Sequence, residues 1–241
     1  MLYHRNQITP FVLLFEGRAG STFLIEHLDS HPQIRARKEI LGPLRKDPPR
    51  AQLERTRNVL TRGLVSRYKA MGFKTKLRIL TDPAGFSNLL HELDVKIIHL
   101  KRKNRVKEAL SELLSNILKE KINDYNIYSS EERLDPIHVD YREFNWTLRL
   151  REDLDSKLND YISTMKLPVL PIFYEDLLLG LDDQLKKIFQ FIDVKNSKTK
   201  SGMVKHTNED LRKVITNFDE IKKKYLNTDY EMMFDEVLFS N

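Results

Sequence analysis

The chain has 241 residues, of which 40% are hydrophobic and 32% charged, and this content suits one α/β domain with a buried core. It contains no cysteine, which excludes disulfides, thiolate metal ligands and a cysteine nucleophile. No apolar run reaches the roughly 18 residues that a membrane span needs, and no amino-terminal signal pattern is present, so we expect a cytoplasmic protein. The net charge of +6 favours an anionic partner, either a nucleic acid or a phosphorylated nucleotide.

The first elements in chain order are a strand and a helix joined by a short polar turn. Residues 11–15 form a bounded apolar run, typical of a strand buried on both faces. From residue 21 the apolar residues recur at helical spacing, and we expect a Ser or Thr to cap this helix. The turn holds glycines, an arginine and hydroxyls, so its backbone N–H groups suit a phosphate at the positive end of the helix dipole. An ordinary βα connection, built from common turn residues, is the alternative.

The turn differs from a nucleotide P-loop, which has four residues between its glycines and a Lys before the Ser or Thr. Here only Arg18 and Ala19 separate Gly17 from Gly20. The segment resembles the 5′-phosphosulfate loop of sulfotransferases that use 3′-phosphoadenosine 5′-phosphosulfate (PAPS), and the His-Pro pair at residues 31–32 stands where that family often has one. The resemblance implies that PAPS, with PAP as product, is held by the residues of this turn: Gly17, Arg18, Ala19, Gly20, Ser21, Thr22 and Phe23.

Residues 34–49 are rich in Arg, Lys and Pro, and we expect an ordered surface loop there, followed by a basic amphipathic helix over residues 50–70. Glu39 stands among basic neighbours in this loop. Its residues alone favour a solvated charge, whereas the resemblance to bacterial sulfotransferases implies that Glu39 is the general base. His27 and His31 are the competing bases.

Residues 72–76 predict a short strand that ends in cations, and the Asp-Pro pair at residues 82–83 predicts the cap and first position of the next helix. In the sulfotransferase family a G-x-K segment at this point directs a Lys toward the site, which makes Lys74 a candidate. A solvated Lys at the end of a strand is the alternative.

Residues 95–111 predict a second strand and helix with cations in the turn between them. The family plan for binding the 3′-phosphate is a strand, an Arg just after it, and a Ser about two helical turns later. This implies Arg102 and Ser111, since a guanidinium can hold phosphate oxygens bidentately. The usual spacing points to Lys103 instead of Arg102, so Lys103 is the substitute. Both strands end in cations instead of a carboxylate that could hold Mg²⁺, and we therefore expect no metal.

In the second half of the chain we predict a long helix over residues 141–165 with Trp146 in the core. An edge strand follows at residues 168–174, where two prolines occur. The Tyr-Glu-Asp-Leu sequence at residues 174–177 is frequent in sulfotransferases, where its role is mainly structural. A basic loop at residues 195–207 precedes an Asn208-capped helix over residues 208–225. By resemblance Lys205 in this loop closes over the 3′-phosphate.

The resemblance implies a single sulfotransferase-like domain over residues 1–241, a three-layer α/β/α fold with a central parallel sheet of four or five strands. Its activity would be transfer of a sulfonate from PAPS to a hydroxyl or amine of a small-molecule, carbohydrate or lipid acceptor. Glu39 would remove the proton, while Arg18 and Lys74 stabilise charge on the leaving phosphate oxygen. The alternatives are a P-loop-like nucleotide kinase or NTPase and a non-catalytic basic nucleic-acid-binding protein.

Overall fold

The computed structural model describes residues 8–61, 68–122, 134–202 and 208–238. The chain divides into two compact units. The first unit comprises Met1–Lys101 and Leu158–Ser201, and the second comprises Arg102–Lys157 and Gly202–Asn241. The single domain over residues 1–241 stays a prediction.

The first unit contains a parallel sheet. Its strands are β1 (Thr9–Phe15), β2 (Ile34–Arg37), β3 (Ala70–Thr75), β4 (Lys96–Lys101) and β5 (Val169–Phe173). They pair in the order β2-β3-β1-β4-β5, and every pairing is parallel. The predicted parallel sheet of four or five strands is confirmed, and β1 lies at its centre. The prolines in and before β5 are tolerated because β5 is an edge strand.

The helices among the described residues are short to medium in length, except for one long helix in the middle of the chain. They are α1 (Ser21–Asp29), α2 (Pro49–Thr61), α3 (Pro83–Glu92), α4 (Arg105–Ile122), α5 (Tyr141–Met165), α6 (Tyr174–Leu179), α7 (Leu181–Phe191), α8 (Phe218–Lys223) and α9 (Glu231–Asp235). The Asp82 cap of α3 is confirmed, since its carboxylate accepts the Gly85 N–H at 2.8 Å. No helix in the described ranges combines the length and the apolar character needed to cross a membrane.

Helices cover both faces of the sheet because β1 is apolar on both sides. Phe11, Leu13 and Phe15 pack into one core with residues of α1 and α7. Val12 and Leu14 point the other way, into a core with residues of α2, α3 and the end of α5. Alternation along a fully buried strand therefore produces the predicted three-layer α/β/α arrangement.

The second unit has a helical core of its own. Residues of α4, the first half of α5, α8 and α9 form it, among them Leu110, Phe144, Phe218 and Phe234. Trp146 is not part of this core, because its side chain is 64% exposed. The prediction of a buried Trp was wrong. Phe144 and Leu148 occupy the buried face of α5, and a residue midway between them projects to the opposite side of the helix.

Two other predictions differ from the structure. Residues 34–37, expected in a loop, form β2, where the buried Ile34 and Ala36 alternate with two arginines. A strand this short shows too little alternation to be recognised from sequence. The helix expected over residues 208–225 is limited to a 3₁₀ turn at Leu211–Lys213 and to α8. Between them Ile215 makes a parallel bridge with Ile137, and residues 216–217 form a turn before α8.

Candidate functional site

The turn between β1 and α1 has the backbone shape of an anion-binding loop. Arg18 has a φ of 69° and Gly20 a φ of 78°, so both lie in the left-handed region. Left-handed residues in such a turn bring successive N–H groups to one concave side. Gly20 is the N-cap of α1, and no side chain caps this helix. The predicted Ser or Thr cap was wrong, and the amides at the start of α1 have no side-chain acceptor from the cap position.

A tyrosine side chain fixes the position of Gly20. A Cβ atom added to Gly20 would overlap the ring of Tyr174, the first residue of α6. Glycine is therefore required here twice, for its positive φ and for its lack of a side chain. This contact gives Tyr174 a defined place against the turn, which its sequence motif alone did not indicate.

Lys74 brings a positive charge to the same turn. It belongs to β3, directly beside β1, where it is paired in register with Leu13. Its ammonium group donates to the Ser21 hydroxyl at 3.1 Å and to the Thr22 hydroxyl at 2.8 Å. The predicted site residues Ser21, Thr22 and Lys74 are thus brought together at the amino terminus of α1.

The environment of Lys74 is unusual for an ammonium group. The residue is only 3% exposed, and burial lowers its pKa to about 8, with Glu39 opposing and Lys76 reinforcing this shift. Its Nζ atom lies 5.2 Å from the centre of the Phe15 ring, at the end of β1. A buried ammonium near a second cation is costly unless an anion is bound nearby. Lysines with such lowered pKa values concentrate at functional sites.

Glu39 lies beside these two lysines. Its carboxylate oxygens are 3.8 Å from the Lys74 ammonium and 3.1 Å from the Lys76 ammonium. The side chain of Glu39 remains 34% exposed, so it is open to solvent on one side. The backbone from β2 therefore returns Glu39 to Lys74, which contacts the turn between β1 and α1. Sequence reasoning missed Lys76, although it stands two residues beyond Lys74 and so follows the same alternation.

The two competing histidines are engaged elsewhere. The His31 ring accepts the Gln33 N–H at 3.0 Å and hydrogen-bonds the Lys195 carbonyl at 2.8 Å, so both nitrogens are used. His27 Nδ1 lies 2.9 Å from the Thr199 hydroxyl, and burial lowers the pKa of His27 despite the charge of Glu26. Both rings hold the segment that follows α7 against α1.

The residues predicted for the 3′-phosphate lie in the second unit, apart from Lys205, which lies outside the described residues. Arg102 is 5% exposed, and so is Ser111 on α4, whereas Lys103 is exposed. Asn104 begins α4 by accepting the Lys107 N–H at 2.8 Å.

Arg102 also acts on a buried carboxyl of α4. Burial raises the pKa of Glu108, and the charges of Arg105 and Arg102 oppose this shift. The Arg102 guanidinium therefore lies within electrostatic reach of a carboxyl inside its own unit. The described residues contain no cluster of His, Asp and Glu suited to hold a metal ion.

The fold matches solved structures. A sulfotransferase from Alicyclobacillus acidocaldarius superposes with a TM-score of 0.53 at 16% identity, covering 94% of this chain and 95% of that one. This chain has a sulfotransferase fold. The predicted resemblance to sulfotransferases is therefore confirmed at the level of the fold.

Other sulfotransferases align with lower scores. The sulfotransferase domain from the curacin biosynthetic pathway gives a TM-score of 0.47 at 14% identity, covering 82% of this chain and 80% of that one. The mouse sulfotransferase SULT7A1 complexed with PAP gives a TM-score of 0.47 at 16% identity, covering 97% of this chain and 73% of that one. No protein-family model and no curated protein matches the sequence.

Proposed function

We propose that this protein is an enzyme that transfers a sulfonate from PAPS to a hydroxyl or amine of an acceptor. One observation carries the proposal. The buried Lys74 ammonium donates to the hydroxyls of Ser21 and Thr22 at the start of α1, next to the central strand of a sulfotransferase fold. This is the place where the family resemblance puts the 5′-phosphosulfate.

The donors at this turn suit the 5′-phosphate of PAPS. The amides at the amino terminus of α1, the hydroxyls of Ser21 and Thr22, and the Lys74 ammonium all offer hydrogen bonds to phosphate oxygens. Gly20, which has no Cβ, lets the Tyr174 ring pack against the turn, and Arg18 contributes the second charge of the turn. Binding of a phosphate would offset the cost of burying the lysine charge.

The roles of the side chains follow from these contacts. PAPS supplies an activated sulfonate bonded to its 5′-phosphate oxygen. Glu39 accepts the proton of the attacking acceptor hydroxyl or amine. Lys74 and Arg18 stabilise the negative charge that develops on the phosphate oxygen when its bond to sulfur breaks. Lys76 orients Glu39 through the ion pair between them.

For the 3′-phosphate we propose Arg102 and Ser111, with Lys205 as a further contact. Arg102 is preferred to Lys103 because its side chain is buried and so has a defined position, whereas Lys103 is exposed. A guanidinium can also hold two phosphate oxygens at once, which an ammonium cannot do with fixed geometry.

The same contacts distinguish this proposal from its alternatives. A kinase or NTPase acts on the γ-phosphate of ATP with the help of Mg²⁺. A nucleic-acid-binding protein needs cations distributed along a surface instead of one ammonium buried at a helix start. We propose that transfer needs no metal and that the acceptor is a small molecule, carbohydrate or lipid. The cytoplasmic location stays a prediction.

The test is to incubate the protein with PAPS and pools of phenols, sugars and amines in the presence of EDTA, and to measure PAP by chromatography. We expect acceptor-dependent PAP formation, which the Lys74→Met variant loses and the Arg50→Gln variant keeps. ATP turnover that requires Mg²⁺, with no PAP formed from any pool, would instead favour the kinase alternative.

A further inference from the structure

Two arginines of β2 and one arginine of α2 form a cluster of positive charge. Ile34 and Ala36 of this strand are buried, so Arg35 and Arg37 project from its other face by strict alternation. In the part of the chain that the structure describes, β2 is an edge strand and pairs with β3. Arg55 of α2 lies within electrostatic reach of this strand: burial lowers the pKa of Arg37, and the charges of Arg35 and Arg55 lower it further.

Within the described ranges, the arginines of the cluster lack the ion pairs that the other two arginines of α2 make. Arg50 pairs with Glu54 at 2.6 Å, and Arg57 pairs with Glu92 at 2.5 Å. Among the described residues, no ion pair within 4.0 Å involves Arg35, Arg37 or Arg55.

The neighbouring acids do not neutralise the cluster. Asp29 is the acid whose charge Arg37 feels, and its carboxylate accepts the Ala36 N–H at 2.9 Å. Arg35 lies over the Tyr68 ring, with 5.9 Å between the guanidinium carbon and the ring centre. Like charges held this close repel each other and are stabilised by an external anion.

The strand of Arg35 and Arg37 leads to the proposed base. Parallel strands present their carboxyl ends at one edge of the sheet, and there Arg37 pairs in register with Phe73 and shares its face of the sheet, opposite to the face of Lys74. Only Lys38 separates Arg37 from Glu39, and the Lys38 ammonium is paired with Glu26 at 3.1 Å. Arg35 and Arg37 therefore lie on the strand that leads directly to the proposed base.

We propose that Arg35, Arg37 and Arg55 bind the acceptor of the transfer, and that this acceptor carries carboxylate, sulfate or phosphate groups close to its accepting hydroxyl or amine. The proposal rests on the proposed function and specifies the substrate class of that site. Several anionic groups on one molecule suit three guanidiniums better than a single charge, because each guanidinium can hold one anion bidentately.

The test compares two double variants that lose the same charge. Arg35→Gln/Arg55→Gln removes members of the cluster, and Arg50→Gln/Arg57→Gln removes arginines that are already paired. The probes are tetragalacturonate and its methyl ester, which differ in charge, titrated calorimetrically into the protein with and without PAP. We expect wild type to bind tetragalacturonate and not the ester. The cluster variant should weaken this binding by roughly tenfold or more, and the control by less than about twofold.

Both variants should bind PAP like wild type, since none of the four arginines lies in the turn between β1 and α1. With an acidic acceptor found by screening, the cluster variant should raise KM and leave kcat unchanged. The proposal is overturned if the ester binds as tightly as the acid, or if the two double variants lose equal affinity. It is also overturned if decathymidylate binds through the cluster more tightly than tetragalacturonate. Failure of wild type to bind PAP would contradict the proposed function, whereas these probe titrations need no PAP.

Discussion

At the scale of single residues, Lys74 combines a cost to folding with a contribution to binding. Its ammonium is buried, and its own hydrogen bonds go to two hydroxyls instead of to a carboxylate. The carboxylate of Glu39 stands 3.8 Å away. A charge in this position destabilises the unliganded protein and is well placed for a phosphate that arrives with a substrate.

The lowered pKa of Lys74 predicts a pH dependence. Lys74 releases its proton near pH 8 in the folded protein, against an ordinary value of 10.5 in the unfolded chain. Between these values the unfolded state binds more protons, so stability of the free protein should rise with pH through this window. A bound phosphate favours the charged lysine, so PAP binding should take up a proton and weaken as the pH rises past about 8.

Calorimetry near pH 8.5 in two buffers of different ionisation enthalpy measures this uptake. Wild type should give different heats in the two buffers, and Lys74→Arg should give equal heats because a guanidinium stays protonated. Equal heats for wild type, with affinity flat from about pH 7 to about pH 9, would show that Lys74 does not contact the ligand.

Glu39 provides the second prediction at this scale. Glu39→Gln keeps the shape of the side chain and removes the proton acceptor. Transfer should fall by roughly 10²–10⁴ while PAP affinity stays close to wild type. The measurement is kcat together with the Kd for PAP, and Glu54→Gln, an exposed carboxylate on α2, serves as the control. Wild-type turnover in Glu39→Gln would assign the proton transfer to another residue.

At the scale of elements, the turn between β1 and α1 depends on its contact with α6. Gly20→Ala should weaken PAP binding strongly, because Cβ would overlap Tyr174 and the positive φ costs about 1–2 kcal/mol for a residue with a side chain. Changing Tyr174→Ala as well removes the overlap and leaves only the backbone cost. Gly20→Ala should therefore be less damaging in the Tyr174→Ala background, as measured by thermal unfolding and PAP titration. If Gly20→Ala lowers stability and PAP affinity equally in both backgrounds, the Tyr174 ring does not hold the turn.

The turn between β4 and α4 provides a prediction for the other phosphate. Arg102→Ala and Ser111→Ala should each weaken PAP binding by about 1.5–3 kcal/mol, the usual value of a hydrogen bond to a charged group. Lys103→Ala should have little effect, since its side chain is exposed. Unchanged affinity in the first two variants, measured calorimetrically, would exclude this site. Weaker PAP binding in Lys103→Ala alone would assign the 3′-phosphate contact to Lys103 instead of Arg102.

At the scale of the whole molecule, the sequence predicts what depends on local pattern. Apolar runs located β1 and β4, and the Asp-Pro pair located the start of α3. The exposure of Trp146 and the strand β2 were missed, because which face of α5 packs and which short segment pairs with β3 are decided by partners distant in sequence.

The site shows the same division. The turn residues from Gly17 to Thr22 could be named because glycines, a cation and hydroxyls act locally. The contact of Lys74 with Ser21 depends on the pairing of β3 with β1, and the approach of Glu39 to Lys76 depends on the path of the chain after β2. For Glu39 and Lys74 the family resemblance, and not residue spacing, supplied the candidates.

The central claim is that the molecule recognises PAP and PAPS through the buried Lys74 beside the turn between β1 and α1. The most direct measurement is the thermal shift of wild type and Lys74→Met with PAP, ATP and NAD, each without metal. We expect PAP alone to raise the melting temperature of wild type, in proportion to the logarithm of its concentration. Lys74→Met should melt no lower than wild type when unliganded and should lose most of the PAP response. A response of wild type to ATP that equals or exceeds the response to PAP would contradict the claim.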